Sequence, residues 1–407
     1  SQGISHTRSV NKADISNPAN YCTAGVQAFV QGADSVKFVD CHNEGNITSG
    51  DNAAGILAST QSSTKKAPIF ATGCYNTGDI STSLSKSVHG VAGLFGLLNP
   101  GSYIADCYNT GNILSEKSVY TGGIWGQGND ASADKQIIVK HCYNKGSVIG
   151  ANYGGGIAGS VPAYAALDSC YNVAEISAKF GAGGITGAVM GENVNILNSW
   201  NSGDVTTSEN GAGGINGYGN YYAHVTNCFN TGNVNAGTNN AGGLGGQGRV
   251  TYTNCYNTGN VNAAKNAGGL LGEPSAESSI GPGSQLYACY NAGKVTCDDA
   301  TTLGTVIGAK DLFSAAHGNK VENVFFVTDY GKSEIDTIGE GISMAALAAF
   351  AVKPTDKAES DEYGYDPNAA GWEYGDDYTL PMIPSLINDC AKAHAAALVL
   401  KDGDTYA

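Results

Sequence analysis

A two-part repeat runs through most of the chain and restricts the fold more than any other feature. The first block reads CYNTGNV from Cys255. It recurs as CHNEGNI from Cys41, CYNTGDI from Cys74, CYNTGNI from Cys107, CYNKGSV from Cys142 and CYNVAEI from Cys170. SWNSGDV from Ser199, CFNTGNV from Cys228 and CYNAGKV from Cys289 continue it, and a faded copy, VFFVTDY, starts at Val324. A second block alternates with the first: AGLFG ending at Gly96, GGIWG at Gly126, GGIAG at Gly159, GGITG at Gly187, GGING at Gly217, GGLGG at Gly246, GGLLG at Gly272 and a worn GTVIG at Gly308. AAGILA, ending at Ala58, is a degenerate member. From the Cys to the end of the Gly block takes 17 to 19 residues in most copies, and 22 from Cys74, whereas the return to the next Cys takes 9 to 17. One arc is nearly fixed and the other absorbs insertions, the long ones being 59–73, 127–141, 273–288 and 309–323.

Successive copies start 27 to 35 residues apart, a period that also suits helical solenoids. The internal pattern argues for strands. TNCYNTGNV places β-branched and aromatic residues between turn signals. No 3.6-residue periodicity spans a repeat, and each Gly of a Gly-Gly pair would cost a helix about 1 kcal/mol. The expected fold is therefore all-β: a right-handed parallel β-helix of about ten coils over residues 25–331. Right-handedness follows from the strong bias of crossovers between parallel strands. Residues 1–24 are expected to form an N-terminal cap segment.

The repeat is lost in residues 332–407, which hold 14 acidic and 5 basic residues of a chain whose net charge is −15. This acidic stretch is expected to be a small α+β cap or the way into a further domain, since a solenoid needs its end covered. GISMAALAAFAV (341–352) reads as a helix, and LINDCAKAHAAALVL (386–400) as a helix or a strand. The acidic chain disfavours nucleic acid and anionic lipid as partners. No apolar run reaches the roughly 20 residues that cross a membrane. A start at Ser1 rather than Met is what a processed secreted protein or a fragment would show.

In stacked coils every repeated residue becomes a ladder. The Cys ladder is Cys41, Cys74, Cys107, Cys142, Cys170, Cys228, Cys255 and Cys289, interrupted by Ser199. It reads as buried packing by a small hydrophobe, because zinc sites need close pairs such as C-x₂-C and Ser199 would break a ligand set or a bridge. Cys22, Cys297 and Cys390 lie outside the row. The Asn ladder is Asn43, Asn76, Asn109, Asn144, Asn172, Asn201, Asn230, Asn257 and Asn291. Amides at strand spacing can bond along the stack, and Asn tolerates the left-handed backbone of a sharp turn, which the Gly two residues on is expected to complete. The intervening aromatics, Tyr75, Tyr108, Tyr143, Tyr171, Trp200, Phe229, Tyr256 and Tyr290, with His42 at one end, are expected to face outward. They read as a stacking ridge, or alternatively as a strip that binds sugar or protein.

The alternating blocks resemble the GLUG-motif repeats of bacterial secreted and cell-surface proteins, as in GGLLG at 268–272 and GGIAG at 155–159, each with its N-C-Y-N-x-G-x-V partner. Trp372 and LPMIPSL at 380–386 are similar to the segment that closes such arrays. The resemblance implies an extracellular or cell-surface location and an adhesin-like role. Such repeats also accompany large secreted peptidases, but the H-E-x-x-H zinc helix of those enzymes is absent here, and no catalytic residue carries over.

Other chemistry finds no motif. There is no nucleophile elbow, P-loop or EF-hand loop. Asp79 and Asp204 share one repeat position and would be the carboxylates of a polysaccharide-cleaving β-helix, but that position also holds Asn, Ser, Glu and Lys, as a solvated turn does. No cofactor or bound metal is expected. Calcium at Asp361, Asp366, Asp376 and Asp377 is the one ion the composition suggests. The expected function is a non-catalytic adhesive or scaffolding stalk. Its expected partner is a host or neighbouring-cell glycan or protein, engaged along the edge built by the four insertions. A polysaccharide lyase or hydrolase, or a self-assembling filament subunit, are the alternatives.

Overall fold

The computed structural model describes residues 3–19, 22–60, 66–83, 90–115, 117–278, 282–330, 338–344 and 347. They form a parallel β-solenoid. One coil shows the plan: strands Tyr103–Ala105, Tyr108–Asn109, Ile113–Ser115, Tyr120–Gly122 and Trp125–Gly128 follow one another around the circuit. Each pairs in parallel with its counterparts in the coils on either side, as Tyr108 does with Tyr75 and Tyr143. The first, second and fifth strands of each coil belong to one sheet, and the third and fourth to another.

The sharp bend before each Cys is made by a residue with positive φ: Asp40, Gly73, Asp106, His141, Ser169, Asn198, Asn227, Asn254 and Ala288. The expectation that the ladder Asn adopts the left-handed conformation is thus corrected: the bend lies three residues earlier. The Gly two residues after the Asn serves another purpose. A Cβ at Gly78 would overlap the Gly45 carbonyl of the preceding coil, and the same relation holds up the array.

The core has two lobes. One packs the first-strand row Phe38, Ile104, Val139, Leu167, Ile196 and Val225 against Leu57, Phe95, Trp125 and the ladder cysteines. The other packs Ile47, Ile80, Ile113, Val148, Ile176, Val205, Val234 and Val261 of the third strands against small residues such as Ala182, Ala212 and Ala241 of the fourth. At the waist between them, the Asn of one coil meets the second Gly of the Gly block of the coil before. A Cβ at Gly123 would overlap both the Asn144 side chain and the Gly156 carbonyl. This contact explains why the Asn-to-Gly arc is nearly constant in length, the Cys74 copy being the longest, while the return arc varies.

The solenoid begins earlier than the repeat suggests. Gly3–Thr7, Val10–Asn11, Ile15–Asn17 and Cys22–Ala24 pair in register with the coil that contains Cys41. Residues 1–24, expected to be a cap, thus carry the strands of a first coil, with Ser9, Val10 and Asn11 at the Cys, aromatic and Asn positions. Ten Asn rows, from Asn11 to Asn291, span about nine turns, and at about 4.8 Å per turn the rows extend over roughly 43 Å. The faded copy stacks in register, Val324 on Cys289 and Phe326 on Asn291. Glu340–Ile342 is a strand on Phe325–Val327, so the helix expected over 341–352 does not start at 341; Met344 and Leu347 are helical, with the Leu347 N–H bonded to Ser343 O at 3.0 Å. The remaining expectations for 332–407, including the second segment at 386–400, Trp372, Cys390 and the four candidate calcium aspartates, lie outside the described residues. No helix among the described residues is long and apolar enough to cross a membrane.

Candidate functional site

The repeated polar residues are engaged with one another. Each ladder amide donates twice: Asn144 Nδ2 bonds Gly146 O at 2.7 Å and Asn172 Oδ1 of the next coil at 2.8 Å. The relay Asn11–Asn43–Asn76–Asn109–Asn144–Asn172–Asn201–Asn230–Asn257–Asn291 runs in one direction, with lengths of 2.7 to 2.9 Å. From Asn43 to Asn291 these side chains are 0–2% exposed. At that depth an unpaired amide would be costly, and the ladder supplies every partner. At its far end Asn291 turns its second bond onto Thr305 O.

The cysteines behave similarly. All eight ladder thiols are free and buried. Each donates to the carbonyl two residues back, as Cys107 does to Ala105 O at 3.1 Å and Cys255 to Thr253 O at 3.2 Å. Ser199 makes the same bond to Leu197 O at 2.7 Å, so a hydroxyl replaces a thiol without loss of pairing. Burial pushes the Cys142, Cys255 and Cys289 thiols well above their usual range, which keeps them protonated and poor nucleophiles. Cys22 and Cys297 are half-buried and free.

The aromatics form one unbroken stack. His42, Tyr75, Tyr108, Tyr143, Tyr171, Trp200, Phe229, Tyr256 and Tyr290 lie with centroids 4.4 to 5.7 Å apart and planes within 7°. Inner rings are covered on both faces by neighbours, so the ridge offers edges rather than faces to a ligand. Outward exposure is also incomplete: the rings are half-buried up to Trp200, and Phe229, Tyr256 and Tyr290 are buried. Asp79 and Asp204 are likewise occupied. Their Oδ1 atoms accept from the backbone N–H of Asn112 at 2.8 Å and of Asn233 at 2.9 Å in the following coils. The shared position that suggested paired catalytic carboxylates is a turn-bracing row. No cluster of three or more metal-ligating side chains occurs among the described residues.

A concave site lies instead on the variable arc. Insertions 59–73 and 127–141 border a cleft of about 720 Å³ lined by Asp34, Lys66, Pro68, Phe70, Asp130 and Lys135, among others. A second depression of about 450 Å³ adjoins it, reaching Tyr103 and Asp134. Phe70 and Tyr103 stand in register on the outer face of adjacent first strands and are 41% and 37% exposed. They expose more ring surface than the inner rings of the stacked ridge. The wall is held in place: Ser132 and Lys135 close a small antiparallel bridge, and Gly101 N–H bonds Lys135 O at 3.0 Å. Behind it Asn129 Nδ2 bonds Asn99 Oδ1 at 2.7 Å, and Asn99 Nδ2 bonds Ala67 O at 2.9 Å, tying both insertions together. The other two insertions contact each other further along, with Glu277 N–H bonded to His317 O at 2.7 Å. Sequence reading marked the insertions but not Phe70 and Tyr103. Both sit four residues before a Cys, on the outward side of an alternation that could have been counted back from it.

No family model matches the chain, and no curated protein matches it. Among solved structures, one described as "a putative immunoglobulin A1 protease from Bacteroides ovatus" is similar at 15% identity, covering 89% of this chain and 88% of that one, with a TM-score of 0.30.

Proposed function

We propose that the protein is a non-catalytic β-solenoid scaffold that works at the outside of a bacterial cell and presents an adhesive edge. The observation that carries this reading is the division of labour around the coil. The repeated Cys, Asn and Asp positions, which could have done chemistry, are spent on ladder bonds, whereas the variable arc builds a preformed cleft with exposed aromatics and unrepeated charges. Ligand sites are usually such concave, largely preformed places, and loops on a rigid scaffold are where binding residues concentrate. The extracellular setting rests on the resemblance of the alternating blocks to GLUG repeats.

The test is a broad glycan- and protein-binding screen of the full chain, repeated with insertions 59–73 and 127–141 shortened to the length of the tightest return arc. Binding that disappears on shortening supports the adhesive edge. No binding, or binding unchanged by shortening, overturns it. Release of new reducing ends or unsaturated sugars from a polysaccharide would overturn the non-catalytic assignment.

A further inference from the structure

The charges around the cleft go beyond what a scaffold needs. Lys66 and Lys135 line it together with Asp34 and Asp130. Lys37 stands in register beside Phe70, and the Lys140 ammonium lies 5.9 Å from the centroid of the Tyr103 ring. Asp134 borders the adjoining depression. Four lysines and three aspartates therefore share one edge of a chain that overall has 21 basic and 36 acidic residues. Among the described residues the exposed Lys66 and Lys135 side chains form no ion pair, which leaves both ammonium groups available to a ligand in the cleft.

We propose that this cleft binds an acidic oligosaccharide, a sugar chain that carries carboxylate or sulfate groups. The inference rests on the adhesive reading above and names its ligand. Sugar faces stack on Phe70 and Tyr103, which present a platform in two steps about 4.8 Å apart. The anionic groups pair with Lys66 and Lys135, and ring hydroxyls donate to the carboxylates of Asp34 and Asp130. An acidic peptide such as oligoglutamate fits less well, because it has no ring face to stack on Phe70 and Tyr103 and no ring hydroxyl to donate to the cleft carboxylates. A neutral glycan would leave the lysines without a partner.

The experiment is titration calorimetry of the full chain at low salt with four probes: a hexa-uronate, a sulfated hexasaccharide, a neutral glucan hexasaccharide and an oligoglutamate. Binding of either acidic sugar, weakened about tenfold or more by Lys66→Gln with Lys135→Gln and by roughly 0.5 M salt, is the expected result. Phe70→Ala should weaken it too, at unchanged melting temperature. Which acidic sugar binds identifies the anion. Equal binding of the neutral glucan, binding of the oligoglutamate instead, or acidic-sugar binding indifferent to both variants overturns the proposal. The adhesive reading survives if the neutral or peptide ligand is lost on Phe70→Ala. It fails with this proposal if nothing binds here or in the broad screen.

Discussion

Replacing Asn144 isolates the strongest structural element of the account. Asn144 is fully buried. It donates to Gly146 O at 2.7 Å and Asn172 Oδ1 at 2.8 Å, and it accepts from Asn109 Nδ2 at 2.8 Å. Asn144→Ala leaves three buried groups without this partner. At about 1–3 kcal/mol for each orphaned group, the loss should be about 3–9 kcal/mol, a large part of a typical domain's total stability. Asn144→Asp adds a pH signature. The ionised carboxylate only accepts, yet it faces the carbonyl oxygens of Gly146 and Asn172, so folding raises its pKa above the unfolded value of about 3.9. The variant's stability relative to the wild type is then greatest below about pH 4 and falls as pH rises through the folded value. Asn112→Ala is the control: this exposed residue accepts from Ser147 N–H at 3.1 Å, and its loss should cost under about 1 kcal/mol. Urea denaturation followed by circular dichroism, at pH 3 to 7, reads all three variants. An Asn144→Ala cost below about 1 kcal/mol, or an Asn144→Asp difference that is flat with pH, would refute the ladder reasoning.

The ladder thiols should not react with an aromatic disulfide reagent in the native state and should all react in denaturant; disulfides or fast native labelling would contradict their packing role. The raised pKa of Cys142, Cys255 and Cys289 also sets an alkaline limit. An unfolded thiol ionises near its ordinary value of 9.0 while the folded one stays protonated. Stability should therefore be insensitive below about pH 8 and fall above pH 9 by about 1.4 kcal/mol per thiol per pH unit; unfolding free energies that stay level to pH 10 would count against it. Gly123→Ala should cost about 2 kcal/mol or more, because its Cβ meets the Gly156 carbonyl and Asn144. Gly219→Ala, with Val189 Cβ as nearest neighbour at 3.7 Å, should be close to neutral, and equal costs would show that the waist is not tight.

The repeat made the register legible: aligning Tyr75, Tyr108 and Tyr143 by sequence places them where the strands pair them. The alternation of blocks announced a fixed arc, but only the contact of Gly123 with Asn144 explains it, and a contact between coils leaves no local pattern in either segment. The first coil was missed because Ser9-Val10-Asn11 keeps only the Asn. That residue alone is needed to start the relay, since an end coil has no neighbour for its aromatic to stack on from outside. The left-handed bend was misplaced because it is carried by Asp, His, Ser, Asn and even Ala288, with no common residue type to mark it. The cleft was legible only as a length difference. Its residues occur once each, and nothing repeated points to Phe70, Tyr103, Lys66 or Lys135.

The most direct test of the ladder is hydrogen exchange at the asparagine side chains. In protein labelled with ¹⁵N only at asparagine, the Nδ2 protons of the ladder rows from Asn43 to Asn291 should exchange only through global unfolding. Those of surface residues such as Asn112 and Asn260 should exchange at nearly the free-amide rate. Ladder amides that exchange as fast as the surface ones would contradict a continuous buried relay, and with it the assignment of the repeat's polar residues to structure rather than chemistry.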